Sequence, residues 1–329
     1  VKLLYPFVFA KTMLLLVIHL LWHRLFKVKT VQQQLAQLEA TAGGELNAAE
    51  RKKIISRQVI FIPVIADAFN RLRNRSTNTA EQERLLQFFV NSSLFDDFFD
   101  EQLLTNEQIA AISFSDDYTP QTYREKIFLQ LKKNLDGFAS AKAGYVESKQ
   151  AVFQSQLASS LQLAANTSTT ELLNISLAKG GYSVQLCSYY MADTITKTEQ
   201  QCWYQLGAII QLSNDIFDIY KDVQQGIYTY PNRCPNMADL HETFTQEVQV
   251  LHQSIQQLPH SKLAKMQLTI AMSGIVALGF TAIQQLQALQ GKNSSIRNWQ
   301  SFQRSQLICD MEKLPNMLRW FGYCYRWGK

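Results

Sequence analysis

Helix breakers are scarce in this chain. Only 7 prolines and 13 glycines interrupt 329 residues, and the long stretches between them place apolar residues three and four apart rather than in alternation. That spacing gathers apolar side chains on one face of a helix and provides no period-2 pattern from which to build a sheet. The predicted class is therefore all-α, a single domain over residues 1–329 folded as an antiparallel helical bundle. Hydrophobic residues make up 47% and charged residues 18%, enough core-forming material to offset the entropy of ordering the chain.

Local signals mark two helices in particular. Thr79 stands three residues before Gln82, predicting a capped helix over residues 83–101; Thr198 stands three before Gln201, predicting another over 202–222, closed by Gly226 and Pro231. Residues 73–79, 166–170 and 290–295 read as loops, because Ser, Thr, Asn and Gly cluster there.

The net charge of +5 is modest and not gathered into one basic block, which argues against nucleic acid as a ligand and suits a small anionic substrate. Five cysteines, an odd number with no Cys-x-x-Cys pair, read as reduced thiols of a cytoplasmic protein. The five histidines show no metal spacing. Residues 1–26 are rich in Leu, Val, Ile and Phe, but Lys2, Lys11, His19 and His23 interrupt them. No clean transmembrane run of about 20 residues is expected there, and no small-residue cleavage site marks a signal peptide. The segment is expected to form a buried N-terminal helix; the alternative is a helix resting on a membrane surface, giving peripheral membrane association.

Two constellations carry chemistry. In Leu94-Phe95-Asp96-Asp97-Phe98-Phe99-Asp100-Glu101, helical geometry stacks Asp96 over Asp100 with Asp97 beside them. Four carboxylates in six residues repel one another, and a hard divalent cation shared with substrate phosphates relieves that repulsion. The competing reading is a solvated acidic helix end. In the second, Asn214, Asp218 and Asp222 fall at i, i+4 and i+8, one oxygen-bearing stripe flanked by Asp215 and Lys221, with Leu212, Ile216, Phe217 and Ile219 opposite. A plain polar helix face reads the same way.

Taken together, these segments resemble the metal-binding pair of the class I isoprenoid (terpene) synthase superfamily over residues 60–329; residues 1–60 carry no matching motif. Asp96-Asp97-x-x-Asp100 looks like the aspartate-rich motif. Asn214-Asp215-x-x-Asp218-x-x-Lys221-Asp222 looks like the Asn/Ser/Glu triad, with Asp218 for Ser and Asp222 for Glu. The resemblance implies a bundle of the isoprenoid synthase type around a central active-site cavity. Asp96, Asp97, Asp100, Asn214, Asp218 and Asp222 would be ligands to three Mg²⁺ ions, for which Mn²⁺ substitutes. Asp215 and Lys221 would lie beside the prenyl diphosphate substrate, and Phe88, Phe89 and Phe99 would line the cavity.

Three further features follow from the same resemblance. Adjacent Gly180 and Gly181 cost about 1 kcal/mol each in a helix and suggest a break beside the diphosphate, with Lys179 contacting the leaving group. Among Arg297, Arg304, Arg319, Tyr325 and Arg326, the arginines Arg319 and Arg326 are the candidates to close over diphosphate. Chain-elongating synthases carry paired arginines soon after the first motif, whereas here none occurs before Arg124, which favours a cyclase or lyase. A prenyl-chain or squalene/phytoene-type prenyltransferase stays open, as do a non-catalytic helical domain binding lipid or protein and a homodimeric assembly.

Overall fold

The computed structural model describes residues 4–291 and 298–329, and every regular element among them is helical. In chain order the helices are α1 (Tyr5–Trp22), α2 (Val28–Ala42), α3 (Ala48–Phe61), α4 (Asp67–Asn70), α5 (Thr79–Asp100), α6 (Asn106–Phe114), α7 (Tyr123–Ala139) and α8 (Tyr145–Ala158). They continue with α9 (Thr169–Ser188), α10 (Lys197–Phe217), α11 (Ile219–Gln225), α12 (Tyr230–Arg233), α13 (Met237–Gln257), α14 (Lys262–Gln290), α15 (Arg304–Leu307) and α16 (Leu314–Trp327). Single π-helical turns, His23–Lys27 and Ile62–Ala66, follow α1 and α3. Arg297 and residues 292–295 of the expected loop lie outside the described residues.

The chain divides into two compact units interleaved along the sequence. The first contains residues 1–12, 148–185 and 195–329; the second contains residues 13–147 and 186–194.

In the first unit α10, α13, α14 and α16 pack together. Its core holds Trp203, Leu206, Leu212, Phe244, Leu251 and Phe280, each essentially inaccessible to water. The Phe280 ring meets Phe244 edge-on at 4.9 Å and stacks on Trp327 at 4.8 Å. Helix α14 is long and apolar enough to cross a membrane, but 72% of its apolar window is buried inside the protein, as befits the central helix of a core.

In the second unit α5 packs against α3 and α7 over Ile54, Leu85, Leu86, Phe98, Ile127 and Phe128. Its helix starts are fixed by reciprocal capping: Asn47 with Glu50, Asn78 with Glu81, and Thr105 with Gln108. The cap of α5 is thus Asn78 rather than Thr79, and that of α10 is Thr196 rather than Thr198. Asn78 wins because its carboxamide accepts from Glu81 N at 2.9 Å while Glu81 accepts a bond from Asn78 N. Glu81 is fully buried, yet Arg75 bonds both its oxygens and Ala192 N adds a third donor. That pairing satisfies a charge that burial alone would penalise and ties residues 186–194 to the start of α5.

Three expectations are corrected. The segment 202–222 is not one helix: α10 ends at Phe217 and α11 begins at Ile219, meeting at Asp218 (φ −90°, ψ 3°). Gly226 does close α11, with φ 69°. The glycine pair Gly180-Gly181 makes no break, since α9 runs through both. The N-terminal helix is not buried: the helical run Tyr5–Ala42 contains a window long and apolar enough to cross a membrane, and only 28% of that window is covered by the protein. Lys11, His19 and His23 interrupt it too sparsely to lower its hydropathy below that level. All five cysteines are buried and free.

Candidate functional site

The second acidic segment is the better organised. Asp218 N donates to Asn214 O at 2.8 Å and Asp222 N to Asp218 O at 2.9 Å, so the four-residue register holds across the junction of α10 and α11. Asn214 and Asp218 are exposed there, whereas Asp222 is buried. Asp215 points the other way, into the packing of α10 on α9. Ser176 Oγ donates to its Oδ2, and Gln211 Nε2 donates to its Oδ1 at 2.8 Å. Its place is therefore beneath the stripe.

The glycines explain how α9 comes so close. A Cβ on Gly180 would lie closer than 3 Å to both Gly207 O and Gln211 Cβ; one on Gly207 would lie 2.7 Å from Val184 Cβ. A Cβ on Gly181 would lie 2.5 Å from the Tyr204 ring. Backbone contacts backbone at this crossing, which only glycine permits. Close approach, not a kink, offsets their helix-propensity cost, and it brings Ser176 and half-buried Lys179 of α9 to the acidic stripe.

Electrostatics reflect that convergence. Burial raises the Asp215 carboxyl, Ser176, Gln211 and Lys179 draw it back, and Asp218 raises it. Asp222 is pushed up to about 7, first by burial and then by the charges of Asp215 and Asp218, with Lys221 and Lys179 opposing. Asp215 beneath the stripe and Asp218 upon it both oppose ionisation of Asp222, and Lys179 and Lys221 offset them only in part. The donor set is oxygen-only and suits a hard divalent cation; Asn214, Asp218 and Asp222 are the residues that would hold it.

In the other unit, Asp96, Asp97 and Asp100 occupy the last turn of α5, where no basic residue stands. That end of a helix carries the negative pole of its dipole, so carboxylates there are disfavoured without a counter-charge. Part of it comes from arginines distant in sequence. Arg124 Nη1 donates to Asp97 Oδ2 at 3.0 Å while its Nη2 pairs with Glu50, and Arg57 Nη2 stands 4.0 Å from Asp96 Oδ2. Asp97 is accordingly engaged in an ion pair, and Asp100 is exposed. Phe88 and Phe89 are buried, the first 5.4 Å from the Tyr190 ring and the second 5.1 Å from Phe61. Phe99 is half-buried, edge-on to Phe95 at 5.1 Å. The roles of Arg57 and Arg124 have no local signal in sequence; Arg124 is the residue whose distance from the motif marked the lack of an early arginine pair.

Helix α16 carries Arg319 and Arg326, both exposed. Arg319 Nη1 donates to Asn316 Oδ1 at 3.3 Å, and the Arg326 guanidinium lies 5.3 Å from the Tyr323 ring. Among the described residues neither pairs with Asp218 or Asp222.

Sequence reasoning also passed over a convergence in the second unit. His19 and His23, four apart, meet Asp67, with potential ligand atoms within 4.8 Å of one another. The Arg71 guanidinium already stands 3.2 Å from His19 Nδ1, and Asp67 Oδ2 lies 3.3 Å from the same atom. Burial, aided by His19 and Lys27, lowers the His23 imidazole to about 4. A cation already occupies this corner, so it serves as a hydrogen-bonded anchor for α1.

No protein-family model matches the chain, and no curated protein matches it, so the reading of the site rests on its geometry and on the motif resemblance.

Proposed function

We propose that the protein is a class I terpene synthase, a carbon–oxygen lyase that ionises a prenyl diphosphate with Mg²⁺ and passes the allylic cation to a terpene product. One observation carries the reading: the glycine-lined crossing of α9 and α10 sets Ser176 and Lys179 of α9 against the stretch that bears Asp215, Asp218 and Asp222, where burial and neighbouring carboxylates raise Asp215 and Asp222. The acidic turn ending α5, which has no basic residue of its own, supports it independently.

On this reading Asn214, Asp218 and Asp222 form one set of oxygen donors, and Asp96 and Asp100 form the other. Bound magnesium supplies charge neutralisation to the diphosphate leaving group. Asp215, held by Ser176 and Gln211, fixes the orientation of the stripe from beneath. Lys179 holds the diphosphate by charge-assisted hydrogen bonds as the C–O bond breaks. Half-buried Phe99 offers a ring face to the allylic cation, while Asp97, through Arg124 and Glu50, braces α5 against α3 and α7.

The test is incubation of the 329-residue chain with farnesyl, geranylgeranyl and longer prenyl diphosphates, following diphosphate release and analysing hydrocarbons by gas chromatography and mass spectrometry. Magnesium-dependent release, reduced roughly a hundredfold or more by Asp96→Ala or Asn214→Ala, is expected. Failure to release diphosphate from any of these substrates, or full activity in both variants, refutes the proposal.

A further inference from the structure

In the second unit, the C-terminal part of α1 and the π-turn after it leave a stripe of large apolar side chains in solvent. Leu14, Ile18, Leu21 and Leu25 recur at four- and three-residue spacing, with Trp22 and Phe26 beside them; their exposures run from 43% for Trp22 to 72% for Leu25. A contiguous patch of six such side chains exceeds what a soluble surface ordinarily leaves uncovered. The opposite side of the same helix is committed to the protein: Met13, Leu16 and His23 are buried, and His19 reaches Asp67. A helix apolar on every side needs cover on every side, and the fold supplies it on one.

The charge around the stripe identifies the other cover. Glu39 is the first carboxylate in the chain, while Lys11, Arg24, Lys27 and Lys29 precede it. Lys27 Nζ lies 5.0 Å from the Trp22 ring, so an amphipathic aromatic and a cation stand together at the edge of the stripe, the pairing suited to a headgroup layer. Directly beside it, a cavity of about 980 Å³ between α2 and α3 is lined by Arg24, Lys29 and Lys52, by Arg51 paired with Glu39, and by apolar side chains including Val59 and Ile60. With Arg51 committed to Glu39, Arg24, Lys29 and Lys52 remain as cations suited to a phosphate, next to apolar surface suited to an acyl chain.

We infer that this face docks in the plane of an anionic phospholipid bilayer, with the stripe in the acyl boundary and the basic cavity on a lipid phosphate. In-plane docking follows from the helix's other side, which the fold holds through buried Met13, Leu16 and His23 and through His19 on Asp67, so acyl chains can meet the helix on one side only. A second copy is the weaker occupant, because a two-fold pairing of this face sets Arg24, Lys27 and Lys29 against their own images. Docking of this face is independent of the proposed chemistry and requires none of the acidic residues.

Flotation of the full chain with vesicles tests it, using phosphatidylcholine alone and phosphatidylcholine with roughly a third phosphatidylserine, the charge that draws basic residues to a surface. The chain is expected to float with the anionic vesicles about tenfold more than with the neutral ones. Leu21→Gln/Leu25→Gln, both at solvent-exposed positions, is expected to abolish flotation while leaving circular dichroism and melting unchanged. Arg24→Gln/Lys29→Gln is expected to remove the preference for phosphatidylserine, and an undiminished preference in that variant overturns the assignment of the cavity to lipid phosphate. Absence of the chain from the anionic vesicles overturns the inference as a whole. So does a concentration-dependent dimer lost in the leucine variant without flotation, or retention of the chain in vesicles after carbonate extraction, which marks a spanning helix.

Discussion

Replacing Gly180 by Ala places one methyl group where α9 and α10 have no room for it. In an open helix the change stabilises by about 1 kcal/mol, because alanine gives up less backbone freedom. Here the added Cβ falls closer than 3 Å to Gly207 O and Gln211 Cβ, against an optimal carbon contact of about 3.5–4.0 Å. Neither neighbour is the far end of a flexible side chain, so α10 itself must move. Overpacking of this kind costs about 3 kcal/mol, leaving a net loss of about 2 kcal/mol after the propensity gain. Gly137 is the control: it lies in α7, where an added Cβ would meet nothing within 4 Å, and Gly137→Ala is expected to stabilise by about 0.5–1 kcal/mol. Urea unfolding followed by far-ultraviolet circular dichroism measures both, with unchanged slopes marking comparable transitions. Because Gln211 also holds Asp215, Gly180→Ala is expected to lower diphosphate release as well. A Gly180→Ala protein within about 0.5 kcal/mol of the parent refutes the close crossing as the reason for glycine there.

Asp222 makes stability fall with rising pH. Its folded-state pKa of about 7 lies above the ordinary 3.8, so between those values the folded state holds the proton and the unfolded state does not, and stability declines as pH rises through that window. Asp222→Asn is expected to flatten the decline in urea titrations across that window and, if the proposed magnesium site holds, to remove a rise in melting temperature on adding Mg²⁺ that the parent is expected to show above it; an unchanged pH profile contradicts the assignment. Arg124→Gln strips the counter-charge from Glu50 and Asp97 and is expected to cost about 2–3 kcal/mol in urea unfolding, with no measurable change refuting their role as a brace.

The all-helical class was legible in the residues alone, because few breakers and a three-to-four spacing leave no alternative period. Both acidic segments were legible too, since carboxylates four apart share a helical face wherever the helix lies. So was the stop at Gly226, whose left-handed backbone glycine adopts without strain. What those residues meet was settled by packing between elements far apart in the chain. Arg57 and Arg124 reach Asp96 and Asp97 from other helices. Ser176 and Lys179 reach the second stripe only because Gly180 and Gly207 let two backbones touch, and Asp215 turns inward although Asn214 and Asp218 face water. The N-terminal helix shows the same division: its composition was plain, but which of its apolar sides the fold covers depends on His19, His23 and Asp67 meeting across a distance that no local pattern encodes.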